Sequence, residues 1–226
     1  MTGSVLVTGG AGGLGTAVVR RMVADGWRVV VPVEGEPAGL DPHAMAVQAD
    51  LMDPTAVAGV VAVAAAEPAA PLRAVVNLVG GFAAGGRVHE TPVETFEAQL
   101  RLNLRPTYLV TGAVLPYLLE AGGGSVVCIS TRAAVKPFPG AAGYITSKVA
   151  LLGLVDALAA EYRDDGIRVN ALLPSVIDTP GNRAGQPDAD FSKWVPPEQI
   201  ADAIAFLCSD ASAATSGAHI PVYGRA

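Results

Sequence analysis

The stretch Ser4-Val5-Leu6-Val7-Thr8-Gly9-Gly10-Ala11-Gly12-Gly13-Leu14-Gly15 decides the fold. It opens as an apolar run without polar alternation, as a strand covered on both faces should. It closes in a glycine-rich turn, and a helical pattern follows from Leu14 to Asp25. Glycine is needed where the chain turns sharply, where bare backbone must approach a pyrophosphate, and where helix and strand pack closely. The phosphates would then meet the free N–H groups and positive dipole end of the helix. Neither the lysine nor the Ser/Thr of a P-loop follows, so strand, turn and helix read together as a dinucleotide cradle.

Downstream, similar apolar runs recur at 28–33, 45–48, 74–78, 126–130, 168–173 and 219–222. Helical patterns at 55–66, 92–103, 107–120, 142–164 and 197–208 fill most of the gaps. This alternation predicts a Rossmann-type α/β fold, a doubly wound parallel sheet of about seven strands. No Pro/Gly/Ser-rich run divides the chain, so residues 1–226 read as one domain. Only 15 residues separate Glu34 from Asp50, and they include Pro37, Gly39 and Pro42, so the layer is expected to be shortened between strands two and three, with no helix there. Thr91-Pro92-Val93-Glu94 has the pattern of a capped helix start, and Pro106 is expected to end or kink that helix.

Composition narrows the partners. The 226 residues are 51% hydrophobic and 16% charged, against about 25% charged in an ordinary globular chain. More surface is hidden than a monomer needs, and segments 107–119 and 147–160 are apolar nearly all round, so a homodimer or homotetramer through them is expected. The net charge of -6, without a basic stripe, argues against nucleic acid and against polybasic membrane anchoring. Apolar stretches are broken before about 18 residues, so no membrane span is expected. The chain runs from Met1 straight into a strand without a basic n-region, which points to a cytoplasmic protein. Cys128 and Cys208 lack CxxC spacing, and His43, His89 and His219 lack ligand spacing, so neither disulfide nor metal is expected.

On the 142–164 helix, Tyr144 and Lys148 stand four residues apart and share one face. A phenol with pKa of about 10 is a poor base, but a nearby ammonium and an oxidised nicotinamide both favour the phenolate. Such a tyrosine can exchange a proton with an alcohol or carbonyl while hydride moves at the adjacent carbon.

Taken in order, the pieces resemble the short-chain dehydrogenase/reductase family over essentially the whole chain. Thr8-Gly9-x3-Gly13-x-Gly15 looks like its cofactor fingerprint, enclosing Ala11, Gly12 and Leu14. Asp50-Leu51 looks like its adenine contact, and Asn77-Leu78-Val79-Gly80 like its strand-end motif. Asn103 matches its catalytic Asn, Tyr144-x-x-x-Lys148 its active-site pair, and Pro174-Ser175-x-Ile177-x-Thr179 its segment after the sixth strand. The resemblance implies an NAD(P)-dependent oxidoreductase acting on a small carbonyl or secondary alcohol, with Tyr144 as general acid/base. It also implies that Lys148 holds the nicotinamide ribose, and that Asn103 shapes the helix and holds a water that passes protons to Lys148. The family's third active-site residue is a Ser about 13 positions before the Tyr. That count falls on Thr131, with Ser130 one residue earlier. Adjacent strand residues face opposite ways, so only one can meet the substrate oxygen. The 28-residue separation from Asn103 also favours Thr131, whose hydroxyl can fill the role.

The family's usual ribose-binding Asp falls on Val33, with Glu34 next, and no Lys or Arg occurs between Arg28 and Arg73. Gly12 is neutral where many NADP-dependent relatives are basic. NAD(H) is therefore favoured over NADP(H). Substrate contacts are expected from Gly80 to Gly86, from Arg132 and Phe138, and from Thr179 to Trp194. Phe82, Phe138, Phe191 and Trp194 suggest a partly apolar pocket, and Arg132 is a weaker candidate for an anionic group. Segments 119–124 and 163–166 carry little positive charge for an acidic carrier, so a free small molecule is the expected substrate. Two alternatives stand: a non-catalytic NAD(P)-binding regulator on the same fold, and a nucleotide-sugar epimerase or dehydratase, for which the roughly 45 residues after Thr179 leave little room.

Overall fold

Parallel strands can pair only through crossover connections, and the helical patterns supply most of them. The computed structural model describes residues 3–225. Strand β1 (Ser4–Thr8) lies between β2 (Arg28–Val33) and β4 (Leu72–Asn77). Outside β2 lies β3 (Met45–Gln48), and β4 is followed by β5 (Gly124–Ile129), β6 (Ile167–Pro174) and β7 (His219–Val222). All pairings are parallel, in the order β3-β2-β1-β4-β5-β6-β7. The order reverses between β1 and β4, and a ligand crevice forms beyond the strand ends at such a switch point.

Successive strand residues sort into two cores. Val5, Val7, Val29 and Val31 pack with Met22 of α1 (Gly15–Ala24) and with Ile200 and Ile204 of α6 (Pro197–Cys208). Leu6, Val30 and Val75 pack with Val60 of α2 (Pro54–Ala65), Val114 of α3 (Val93–Glu120) and Val155 of α4 (Ala142–Glu161). Both faces are covered, so the strands carry no polar alternation. A short helix, α5 (Pro180–Gly185), follows β6. Cys128 and Cys208 are free and buried.

No helix forms between β2 and β3, as expected; Leu40 and Ala44 pack against the α1/α6 core in its stead. Gln48 ties this connection down: the Gly35 N–H donates to its Oε1 at 3.0 Å, and its Nε2 donates to the Gly35 carbonyl at 2.8 Å.

Three expectations are corrected. Pro106 does not end a helix: α3 runs unbroken over 28 residues with Pro106 and Pro116 inside. Proline leaves the carbonyl four residues back, that of Leu102, without its helical partner, and packing against α2 and α4 carries the helix past the gap. Thr91 does not cap α3. Its hydroxyl donates to the carbonyls of Arg87 and Gly86 at 2.9 and 3.2 Å, closing the preceding turn, and Pro92 takes the cap position without a side-chain bond. Finally, α4 is long and apolar enough to cross a membrane by length and composition, with mean hydropathy 1.4. It nonetheless packs on α3 and β6 and carries Lys148 inward, as a core helix does.

Candidate active site

A cleft of about 630 Å3 opens at the switch point. One wall is the turn Gly9 to Gly15. The Gly12 N–H donates to the Gly9 carbonyl at 3.0 Å, Gly9 has φ +67°, and a Cβ on Gly15 would fall onto the Gly9 oxygen, so backbone alone fits there. Leu14, at the start of α1, offers no side-chain cap, and the first turn carries no acidic residue, so no side chain competes with an anion at this helix end, where the Thr16 N–H donates to the Gly12 carbonyl at 3.0 Å. A Cβ on Gly13 would stand 2.9 Å from Thr179, so the segment after β6 closes on the cradle. Along the far end run Val33, Glu34, Glu36, Asp50 and Leu51, and toward the middle Val79, Gly80, Leu102 and Pro106. The backbone-only turn and open helix end fit a dinucleotide pyrophosphate.

Thr8 and Asn77 do not line this cleft. The Thr8 hydroxyl accepts from the N–H groups of Leu78 and Val79 at 3.0 and 3.4 Å, tying β1 to β4. Asn77, 3% exposed, donates to the Thr111 hydroxyl at 3.0 Å, joining β4 to α3. Both brace the cleft from behind, because strand parity turns these side chains away from it. Asp50 lines the cleft, with Oδ1 accepting from the Met52 N–H at 2.7 Å. Pro174 is buried at the end of β6, and Ile177 bridges to Val195 and packs on the α1/α6 core, so of that segment only Thr179 reaches the cradle.

The remaining site residues converge on Gly80. A Cβ there would stand 2.6 Å from Asn103 Oδ1 and 3.1 Å from Lys148 Nζ. Asn103, fully buried, accepts from the Gly81 N–H and donates to the Gly81 and Gln99 carbonyls, at 3.0 to 3.1 Å. Lys148 Nζ donates to the Ile129 carbonyl at 2.9 Å. Ser130 and Thr131 differ in direction. The Ser130 hydroxyl turns inward and donates to the Lys148 carbonyl at 2.9 Å, whereas the Thr131 hydroxyl accepts from the Ala133 N–H at 3.3 Å and stands near enough to Tyr144 to favour its phenolate.

Burial sets the electrostatics. It raises the Tyr144 phenol above its ordinary range, with the Thr131 hydrogen bond pulling the other way, and it lowers Lys148 to about 8. Phe82 sits edge-on to Tyr144 at 5.0 Å and tilted to Phe138 at 6.4 Å, an apolar wall beside the hydroxyl. Phe191 and Trp194 instead pack on each other at 4.7 Å, and Arg183 covers Phe191 while its guanidinium grips Asp178. Arg132 lies over the Tyr223 ring at 5.1 Å. Sequence reasoning missed Leu102 and Pro106 in the cleft; the proline's removal of a helical bond was the available signal.

The family model for short chain dehydrogenase matches residues 4–190. The chain belongs to the short-chain dehydrogenase/reductase family. This oxidoreductase is 34% identical to the 2-(R)-hydroxypropyl-CoM dehydrogenase of Xanthobacter autotrophicus over 246 aligned residues, covering 99% of this chain and 98% of that protein. It is 33% identical to the dehydrogenase/reductase SDR family member 4 of Bos taurus, covering 97% and 85%. Among solved structures, a short chain dehydrogenase/reductase family protein superposes with a TM-score of 0.88 at 32% identity, covering 98% and 96%. Members of the family use NAD(P)(H), and the dehydrogenase relatives place this chain among enzymes of small molecules.

Proposed function

We propose that the protein moves a hydride between NAD(P)(H), with NAD(H) preferred, and the carbon of a small carbonyl or secondary alcohol, with Tyr144 as general acid/base. The convergence of Asn103 and Lys148 on Gly80, with the Thr131 hydroxyl near the Tyr144 phenol, carries this reading. The bound nicotinamide supplies or receives the hydride. Tyr144 gives its proton to a forming alkoxide or takes one from an alcohol, and Thr131 holds the oxygen in reach. Lys148 holds the ribose and Asn103 fixes the backbone over it. The relative named for a 2-hydroxypropyl compound, a secondary alcohol, supports the substrate class.

Glu34, Glu36 and Asp50 line the adenosine end and no cation joins them, which supports NAD(H), because a 2'-phosphate would face like charge. Phe82 and Phe138 suit a small, partly apolar substrate. Exposed Tyr108 and Leu119 on α3 and Val149 on α4 support a homodimer or homotetramer through these helices, and the net charge of -6 without a basic stripe supports a protein without nucleic-acid or anionic-membrane partners, which we further propose is cytoplasmic. A panel of carbonyls and alcohols assayed with NADH, NADPH and their oxidised forms tests the reading. Turnover with NADH above NADPH, lost in Tyr144→Phe, is expected; full activity in Tyr144→Phe would overturn it.

A further inference from the structure

A second hollow, of about 530 Å3, lies between loop 83–93 and the adjoining starts of α3 and α4. Exposed Val88, Val93 and Thr95 form its mouth, and Phe96, Gln99 and Gly143 lie deeper. Thr131, Tyr144 and Lys148 do not line it, and neither do Phe82 and Phe138; the Gly85 N–H donating to the Gly140 carbonyl at 2.7 Å closes one of its walls. Its lining is mostly apolar, and two of its polar side chains are already engaged. Glu90 accepts from the Arg87 N–H at 2.8 Å, and Thr91 donates to backbone.

Gln99 differs. It is 8% exposed, its Oε1 is buried without a partner, and no hydrogen bond ends on its carboxamide. Buried side-chain amides nearly always find partners, and this carboxamide keeps one end without any. Either end of the amide can turn inward, and a hydroxyl, which both donates and accepts, satisfies each. The first-turn N–H groups of α4, without a side-chain cap or an acidic residue, offer a further partner for its oxygen.

We propose that this hollow binds a small neutral molecule with an apolar body and one hydroxyl, held by the Gln99 carboxamide, at a site apart from the cofactor cleft. Such a ligand rests against Gly143, directly before Tyr144, and against the residue whose carbonyl accepts from Asn103 Nδ2 at 3.0 Å.

Phenol serves as the probe, because its hydroxyl donates and accepts and it neither gives nor takes a hydride; anisole, which cannot donate, is its control. Titration calorimetry and saturation-transfer NMR on the whole protein, with and without NADH, are expected to show one phenol site about fivefold tighter than anisole. Gln99→Leu is expected to reduce phenol to the affinity of anisole. Thr95→Trp, filling the mouth from an exposed position, is expected to abolish binding of both while NADH binding and melting temperature hold. Unsaturable binding, phenol displaced by NADH, or phenol affinity unchanged in Thr95→Trp would overturn the proposal. None of these readouts requires turnover, so failure of the hydride-transfer reading leaves this test intact.

Discussion

The two halves of the active cleft are built from different material. The cradle from Gly9 to Gly15 is backbone, and its shape depends on side chains that are not there; the cluster around Gly80 is side chain, four residues drawn from α3, α4 and the segment after β5. Backbone recognises what all dinucleotides share, and side chains select the chemistry. Damage to the first half should therefore appear in cofactor affinity, and damage to the second in turnover.

The largest separation is expected from Tyr144→Phe, which should lower kcat by roughly 10²–10⁴ while the cofactor dissociation constant, followed by NADH fluorescence, stays within about threefold. Loss of NADH binding in this variant would show that the two halves are not separable. Gly15→Ala is the mirror image. Its Cβ meets a carbonyl that cannot yield, and a loss of about 3 kcal/mol in cofactor binding or stability is expected, on calorimetry and thermal melting. Thr131→Ala should cost on the order of 10²-fold in kcat, with Thr131→Ser largely restoring it. Ser130→Ala should instead lose about 1 kcal/mol of stability from its buried hydrogen bond, with turnover little changed.

Smaller effects come from charge. Lys148 is lowered from 10.5 to about 8 by burial, so between those values the unfolded chain holds a proton that the folded chain has released, and stability rises with pH across that window. Lys148→Met should accordingly melt higher than the parent near neutral pH, by on the order of 2 kcal/mol without cofactor, and the advantage should fade as pH climbs through the window. A constant difference across pH would remove the buried charge from the account. Glu34→Arg should move the ratio of kcat/KM toward NADPH by about tenfold; an unchanged ratio would leave the adenosine edge to Glu36 and Asp50.

Much of this was legible before any coordinates. Strands buried on both faces announce themselves as unbroken apolar runs, so all seven lie within two residues of where the sequence places them. Tyr144, Lys148, Asn103 and Thr131 were legible from spacing, and strand parity separated Thr131 from Ser130. Where the reading failed, tertiary contacts outweighed a local rule. Pro106 sits inside α3 because α2 and α4 hold the helix across the missing bond, and Thr91 satisfies nearer carbonyls than the helix end its sequence pattern predicts. Thr8 and Asn77 stand outside the cleft lining because a motif records which residues recur, whereas direction decides which of them face the cleft. The Gln99 hollow left no local trace, because it exists only where two distant stretches, 83–99 and 140–143, meet.

The missing helix between β2 and β3 also bears on how the molecule breathes. Strand β3 has a neighbour on one side only, carries mostly exposed residues, and is held chiefly by its pairing with β2 and the Gln48 ties to Gly35. Its amide protons should be the first of the sheet to exchange with solvent. The same few residues lead into Ala49, Asp50 and Leu51 on the cleft wall, so filling the adenosine end also fastens the fraying margin of the sheet.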